Sequence, residues 1–144
     1  MLVAHPLWDA NVKYKNYICF QLFIVVPMIV IVRHFFYKNY VGLSLWPFII
    51  LKDVQLKQDA VLINHERIHL KQQQELFIIP FYFLYISEWL LRSLLYLDSY
   101  RAYQNISFER EAYQNEKELD YLDNRKPFSF INYLCREWIP KPFW

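Results

Sequence analysis

Apolar and polar positions divide this chain into segments of different period. Tyr17 to Val32 (YICFQLFIVVPMIVIV) is almost wholly apolar, with Lys13 and Lys15 before it and Arg33 after it. A bilayer span needs roughly 20 apolar residues, so this run is short for one, and Pro27 would kink a helix through it. Two readings stand, a short membrane anchor and a buried core segment. No small-x-small cleavage site follows the run. Val41, Leu43 and Leu45 then alternate with Gly42, Ser44 and Trp46, the strand period, and Pro47 confines that strand to an edge or ends it. Lys52 to Gln58 reads as a polar turn.

Asp59 is placed to cap a helix from Ala60 to about Glu75. On it Asn64, Arg67, Lys71 and Gln74 share one face, while Leu62, His65, Glu66, His69 and Gln73 share another. The inward face of that helix is thus unusually polar. Leu76 to Leu97 is a second apolar stretch, long enough to span a membrane. Along it Tyr85, Glu88, Arg92, Tyr96 and Ser99 recur at spacings of 3, 4, 4 and 3, a polar stripe with Glu88 and Arg92 as an i,i+4 ion pair. Pro80 breaks or kinks its junction with the preceding helix. A further helix is expected from Ser107 to Leu122, with Phe108, Ala112, Leu119 and Leu122 on its apolar side. From Lys126 onward the chain is rich in Phe, Trp and Pro and reads as loosely structured or interfacial.

Composition narrows the function classes. The 144 residues are 56% apolar and 20% aromatic, too hydrophobic for a disordered chain. Mean hydropathy is nevertheless only +0.02. A split between apolar stretches and charged helices suits a membrane-interface protein, or a small domain with an aromatic core. The single glycine, Gly42, excludes glycine-cradled phosphate loops, and with them nucleotide binding of that kind. The net charge of +2 carries no footprint for nucleic acid. Cys19 and Cys135 have no CxxC partner.

One motif carries chemistry. His65-Glu66-Arg67-Ile68-His69 is an HExxH on the expected helix. Residues i and i+4 share a face, so both imidazoles can hold one metal ion, and Glu66 is placed to act as general base on a metal-bound water. The plainer alternative is a solvated helix face carrying two histidines. A zinc site also needs a third protein ligand. Ser107-Phe108-Glu109-Arg110-Glu111-Ala112-Tyr113 offers Glu109 and Glu111, and helical phase does not choose between them. A charged helix start would place acidic residues there as well. Tyr100, Tyr103 and Tyr113 are candidate oxyanion donors or supports of the ligands.

HExxH followed by a helix bearing an E-x-x-A motif resembles the gluzincin zinc metallopeptidases. Here Glu109-Arg110-Glu111-Ala112 matches that motif, and Tyr113 stands where the family has aspartate. The apolar stretch between the motifs resembles membrane-bound members, the HtpX and CAAX-prenyl-protease group and the BlaR/MecR sensor-transducer peptidases. The chain is also similar to small bacterial proteins with an NHERIH…FEREAY pattern. The motifs cover about a dozen residues, and the organisation from Val41 to Leu122 is similar. The resemblance implies Zn2+ held by His65, His69 and Glu109, with Glu111 in reserve. It also implies Glu66 as base, a peptide or protein substrate, and a place at a bacterial inner membrane. Under it Val41 to Leu45 would be an edge strand that pairs with substrate backbone. Tyr113 in place of aspartate removes a usual hydrogen-bond partner of a ligand.

The ligands constrain the topology. A straight 22-residue span rises about 33 Å and would separate the histidines from Glu109. If the three meet, the chain turns near Pro80 and Phe81 to Leu97 packs beside the site or lies in the interface. The expected fold is therefore mainly α. It is a minimal gluzincin-like helical core with a short edge strand or hairpin before the active helix. Residues 1–37 form an N-terminal segment with a candidate anchor at 17–32, 38–125 a metallopeptidase-like domain, and 126–144 an aromatic tail. Two rivals remain: a non-catalytic, membrane-associated protein with a structural zinc site, and a helical interaction module without metal.

Overall fold

Gly42 to Leu51 forms two strands, with Trp46 and Pro47 as the turn between them. The computed structural model describes residues 27–33, 36 and 40–135. β1 (Met28–Ile31) runs parallel to β3 (Phe48–Leu51), and β2 (Gly42–Leu45) runs antiparallel to it, in the order β1-β3-β2. The register pairs Met28 with Phe48 and Gly42 with Leu51. The end of the apolar run 17–32 is therefore a strand rather than part of a kinked helix; residues 17–26 lie outside the described residues. Pro47 lacks the N–H that a strand interior requires, and a turn position tolerates that.

Five α-helices follow among the described residues: α1 (Ala60–Glu75), α2 (Ile79–Tyr96), α3 (Ser99–Gln104), α4 (Ser107–Asn115) and α5 (Tyr121–Asn124). A 3-10 helix, Val54–Gln58, occupies the expected polar turn. The Asp59 carboxylate caps α1 by accepting from the N–H groups of Val61 and Leu62 at 3.1 and 3.0 Å. The chain then bends by 113° between α1 and α2. The bend at Leu76 to Ile78 uses positive φ at Phe77 and Ile78, and Leu97 ends α2 in the left-handed conformation. With one glycine in the chain, bulky residues occupy positions that glycine would hold at lower cost.

The expected helix from Ser107 to Leu122 is interrupted. It stops at Asn115, because the Asn64 side-chain amide on α1 donates to the carbonyls of Asn115, Glu116 and Glu118. The Asn115 and Glu118 carbonyls also accept from the N–H groups of Glu118 and Tyr121, so the chain turns there rather than continuing the helix. Leu119, expected on the apolar side, is exposed. α3 was not foreseen; Asp98 caps it through the N–H groups of Tyr100 and Arg101.

Two apolar clusters flank α1. Ile49, Leu51 and Leu70 join the sheet to it, with Ile29 and Ile31 of β1 packed alongside. Phe81, Ile106, Phe108 and Phe130 tie α2, α4 and the C-terminal 3-10 helix Ser129–Tyr133 together. Part of the segment 1–37 thus completes the sheet, and the start of the tail 126–144 completes the core. Residues 136–144 lie outside the described residues.

The polar stripe of α2 faces inward. Glu88 accepts from the Ser107 N–H at 3.0 Å and the Ser107 hydroxyl at 2.6 Å, which caps α4, and Arg92 pairs with Glu88 at 2.7 Å. Trp89 Nε1 donates to the Ser99 carbonyl at 3.1 Å. The apolar face, with Ile79, Phe83, Leu90, Leu91, Leu94 and Leu95, is exposed. No single helix among the described residues is long and apolar enough to cross a membrane.

Candidate metal centre

α1 buries Asn64, His65, Glu66, His69, Gln72 and Gln73, so its polar face is its inner face. Buried polar groups persist only when their hydrogen bonds are made, and each of these has a partner on another element or on α1 itself. The sheet answers with small residues. β2 turns Gly42 and Ser44 toward α1 and leaves Leu43 and Leu45 exposed, the reverse of an ordinary apolar-in strand. Gln73 clasps that edge: its Nε2 donates to the Ser44 carbonyl at 3.1 Å and its Oε1 accepts from the Trp46 N–H at 2.8 Å.

His65, His69 and Glu109 converge. The Nε2 atoms of the two histidines lie 3.1 Å apart. His69 Nε2 is 3.3 Å from Glu109 Oε1, and His65 Nε2 is 3.6 Å from Glu109 Oε2. A tetrahedral ion with bonds of about 2.0–2.1 Å has ligand–ligand edges of about 3.3–3.4 Å. These three atoms stand close to three corners of such a tetrahedron. All three residues are buried.

The Nδ1 atoms settle what the Nε2 atoms present. His65 Nδ1 is 2.9 Å from Glu116 Oε2, a carboxylate that can only accept when ionised, so Nδ1 donates. His69 Nδ1 is 2.8 Å from Gln72 Oε1. The Gln72 amide is oriented by its own Nε2, which donates to the Phe108 carbonyl and to Glu111 Oε2, so its oxygen accepts from His69. With both Nδ1 atoms protonated, neutral imidazoles would aim two Nε2 lone pairs at one another across 3.1 Å. That arrangement calls for a cation between them, either a proton or a metal ion. Glu109 Oε2, buried and without a hydrogen-bond partner, adds a free acceptor at the same point. The donor set of two imidazoles and one carboxylate therefore fits a divalent ion such as Zn2+.

The ionisation of the cluster follows from these contacts. Burial disfavours a cationic His65, but Glu109 and Glu116 outweigh it and raise the imidazole to about 10 when only protons are present. His69 is raised as well, against burial, chiefly by Glu109. Burial disfavours ionised Glu109 too, yet the two histidines hold its carboxyl far below the ordinary range. Glu66 is shifted up by burial, partly offset by the histidines and by a hydrogen bond from Ser44.

Glu66 lies beneath β2. A Cβ on Gly42 would stand 2.6 Å from Glu66 Oε1, so the one glycine of the chain is where strand and carboxylate approach most closely. A cavity of about 300 Å³ opens beside this group, lined by Gly42, Leu43, Ser44, Glu66, both histidines and Glu109, and also by Phe81, Tyr82, Ile86 and Tyr103.

The structure separates Glu109 from Glu111. Glu109 faces the histidines and accepts from the Tyr85 hydroxyl at 2.6 Å. Glu111, the reserve ligand, turns away: its carboxylate accepts from Tyr121 at 2.9 Å, from Gln72 and from Arg125. Glu109 lies on the side of α4 that meets the histidines of α1, and Glu111 on the side that meets Tyr121 and Arg125. Tyr113 packs its ring on His65 at 4.6 Å, and Tyr103 lines the cavity and hydrogen-bonds Tyr113. Tyr100 stacks on Tyr103 and is exposed. Three participants were missed in the sequence: Glu116, Gln72 and Tyr85. Gln72 follows His69 by three positions, a local spacing that sequence could have flagged; Glu116 and Tyr85 meet the site only through tertiary packing.

No protein-family profile, curated protein or solved structure matches the chain.

Proposed function

We propose that this protein is a zinc-dependent peptidase in which His65, His69 and Glu109 hold the ion and Glu66 is the general base. The observation that carries the reading is the convergence of two Nδ1-anchored imidazoles and a buried carboxylate beside a cavity that also exposes Glu66. Zinc bound there would lower the pKa of a water toward ~7 and polarise a carbonyl. Glu66, with its pKa shifted up by burial, is suited to take a proton from that water and return it to a leaving amine. Tyr103, on the cavity wall, is a candidate donor to the oxyanion. The apolar part of the lining, with Phe81 and Ile86, suits a peptide with a large apolar side chain.

The same proposal places the protein at a membrane. α2 carries its polar residues inward and leaves an apolar face exposed along its length, the polarity of a helix that meets lipid. Flotation with liposomes tests this: recovery in the aqueous fraction alone would refute it.

Metal analysis of the purified protein, together with peptide cleavage by wild type and Glu66→Gln, tests the enzyme. The expected result is one zinc per chain in both and cleavage by wild type only. Zinc in both with cleavage by neither supports the rival structural metal site. Absence of zinc from wild type refutes both.

A further inference from the structure

Resting on the metal reading above, we infer that Arg125 is a positioning residue that sets the His69 imidazole through Glu111 and Gln72. The path is continuous. The Arg125 guanidinium, its side chain 1% exposed, bridges two carboxylates. It pairs with Glu75 at the end of α1 and, through Nε and Nη2, with both oxygens of Glu111 on α4. Glu111 Oε2 accepts from Gln72 Nε2 at 3.0 Å. Gln72 Oε1 in turn accepts from His69 Nδ1 at 2.8 Å.

Each link restricts the next. A bidentate guanidinium fixes both the position and the plane of the Glu111 carboxylate. A fixed Glu111 requires the Gln72 amide to present nitrogen on that side and therefore oxygen toward His69. That oxygen holds the proton on Nδ1 and leaves Nε2 directed at His65 and Glu109. An imidazole ligand is normally oriented by a single carboxylate or carbonyl on its other nitrogen. Here the orienting group is a neutral amide, which by itself could serve in either of two flips. The Phe108 carbonyl and Glu111 Oε2, both acceptors of Gln72 Nε2, select one flip, and the Arg125 ion pair holds the second of them in place. Glu75 also accepts from the Phe128 N–H at 3.0 Å, which ties the segment after α5 to the same point.

The test measures zinc affinity by competition with a chelator, alongside the melting temperature of the metal-free protein. Arg125→Met and Gln72→Met are each expected to weaken zinc binding by about 10–100-fold. Arg125→Lys, which keeps the charge but cannot engage both carboxylates as a fork, should fall between them and wild type. Gln72→Met leaves the Arg125–Glu111–Glu75 contacts in place, so it should lose affinity with a smaller loss of melting temperature than Arg125→Met. Should Arg125→Met fail to fold, Arg125→Lys decides. A lower melting temperature with wild-type zinc affinity in the Arg125 variant would overturn the inference and leave Arg125 a structural clamp. If wild type itself binds no zinc, the proposed function fails, and crystal structures of metal-free wild type and Gln72→Met decide the relay. A His69 ring rotated in the variant sustains it, and an unmoved ring overturns it.

Discussion

Gly42→Ala separates the positioning of Glu66 from the stability of the fold. Gly42 has no positive φ, so alanine can adopt its backbone without strain. In an extended strand that exchange favours folding by about 0.5–1 kcal/mol, through the smaller entropy of the unfolded chain. The new methyl would lie 2.6 Å from Glu66 Oε1 and 3.3 Å from Leu62 Cδ1. An ordinary carbon–oxygen approach is about 3.3–3.6 Å, so the carboxylate must retreat by about 0.7–1 Å. Its hydrogen bond with Ser44 weakens in the process, at a cost of about 1 kcal/mol, and the net change in stability is close to zero. A displacement of 1 Å in a catalytic group lowers rate by about 100-fold, or about 3 kcal/mol in the barrier. The assay is kcat/KM on a fluorogenic peptide, with bound zinc and urea unfolding measured on the same preparation. The expected outcome is activity down about 100-fold, zinc retained and the unfolding midpoint nearly unchanged. Wild-type activity in this variant would refute the reasoning, as would a loss of several kcal/mol of stability, which would show that the strand rather than the carboxylate gives way.

Three other outcomes are expected. His65 titrates at about 10 in the metal-free fold against 6.5 unfolded, so its contribution to stability is complete below pH 6.5 and lost as pH rises through 10. Glu109 is shifted the other way, so its contribution is present above about pH 4.5 and lost as pH falls. Urea unfolding of chelator-treated protein should therefore show greatest stability between about pH 4.5 and 6.5, and a flat profile from pH 6 to 10 would contradict the geometry. Glu88→Ala removes both the cap of α4 and the partner of Arg92, and should lower the unfolding free energy by about 2–4 kcal/mol. Leu97→Gly relieves a left-handed residue at the exposed end of α2, and a rise of about 1 kcal/mol in calorimetric stability is expected; destabilisation would show that Leu97 has a packing role.

Much of the site is legible in a linear reading because its strongest signals are local. HExxH places two imidazoles on one helical face by the 3.6-residue repeat alone. Asp59 before a helical pattern marks the start of α1, and Ala60–Glu75 is where the helix lies. The turn before Pro80 follows from a distance argument between motifs. Other features depend on partners far along the chain. β1 pairs with a strand about 20 residues later, and the alternation of Leu43 and Leu45 points to the wrong inner face. Ser44 and Gly42 are turned in because α1 presents polar groups and a carboxylate that large apolar residues could neither satisfy nor admit. Helix α4 ends where Asn64, 51 residues away from Asn115, donates to the carbonyls of Asn115 and of Glu116 and Glu118 just beyond it.

The sequence by itself determined the chemistry on offer: two histidines and a glutamate at fixed helical phase, a pair of acidic candidates downstream, and the excess of aromatic and aliphatic residues. Those follow from covalent order and the geometry of one helix. Only the tertiary structure decided between Glu109 and Glu111, because both lie within one turn of α4 and the choice depends on which side of that helix meets α1. It also decided which group orients each imidazole. Tyr113 packs on His65, while Glu116, one turn further on, accepts the Nδ1 proton. A buried hydrogen bond is specific to the position and direction of two groups, and chain order constrains neither across an interface between helices.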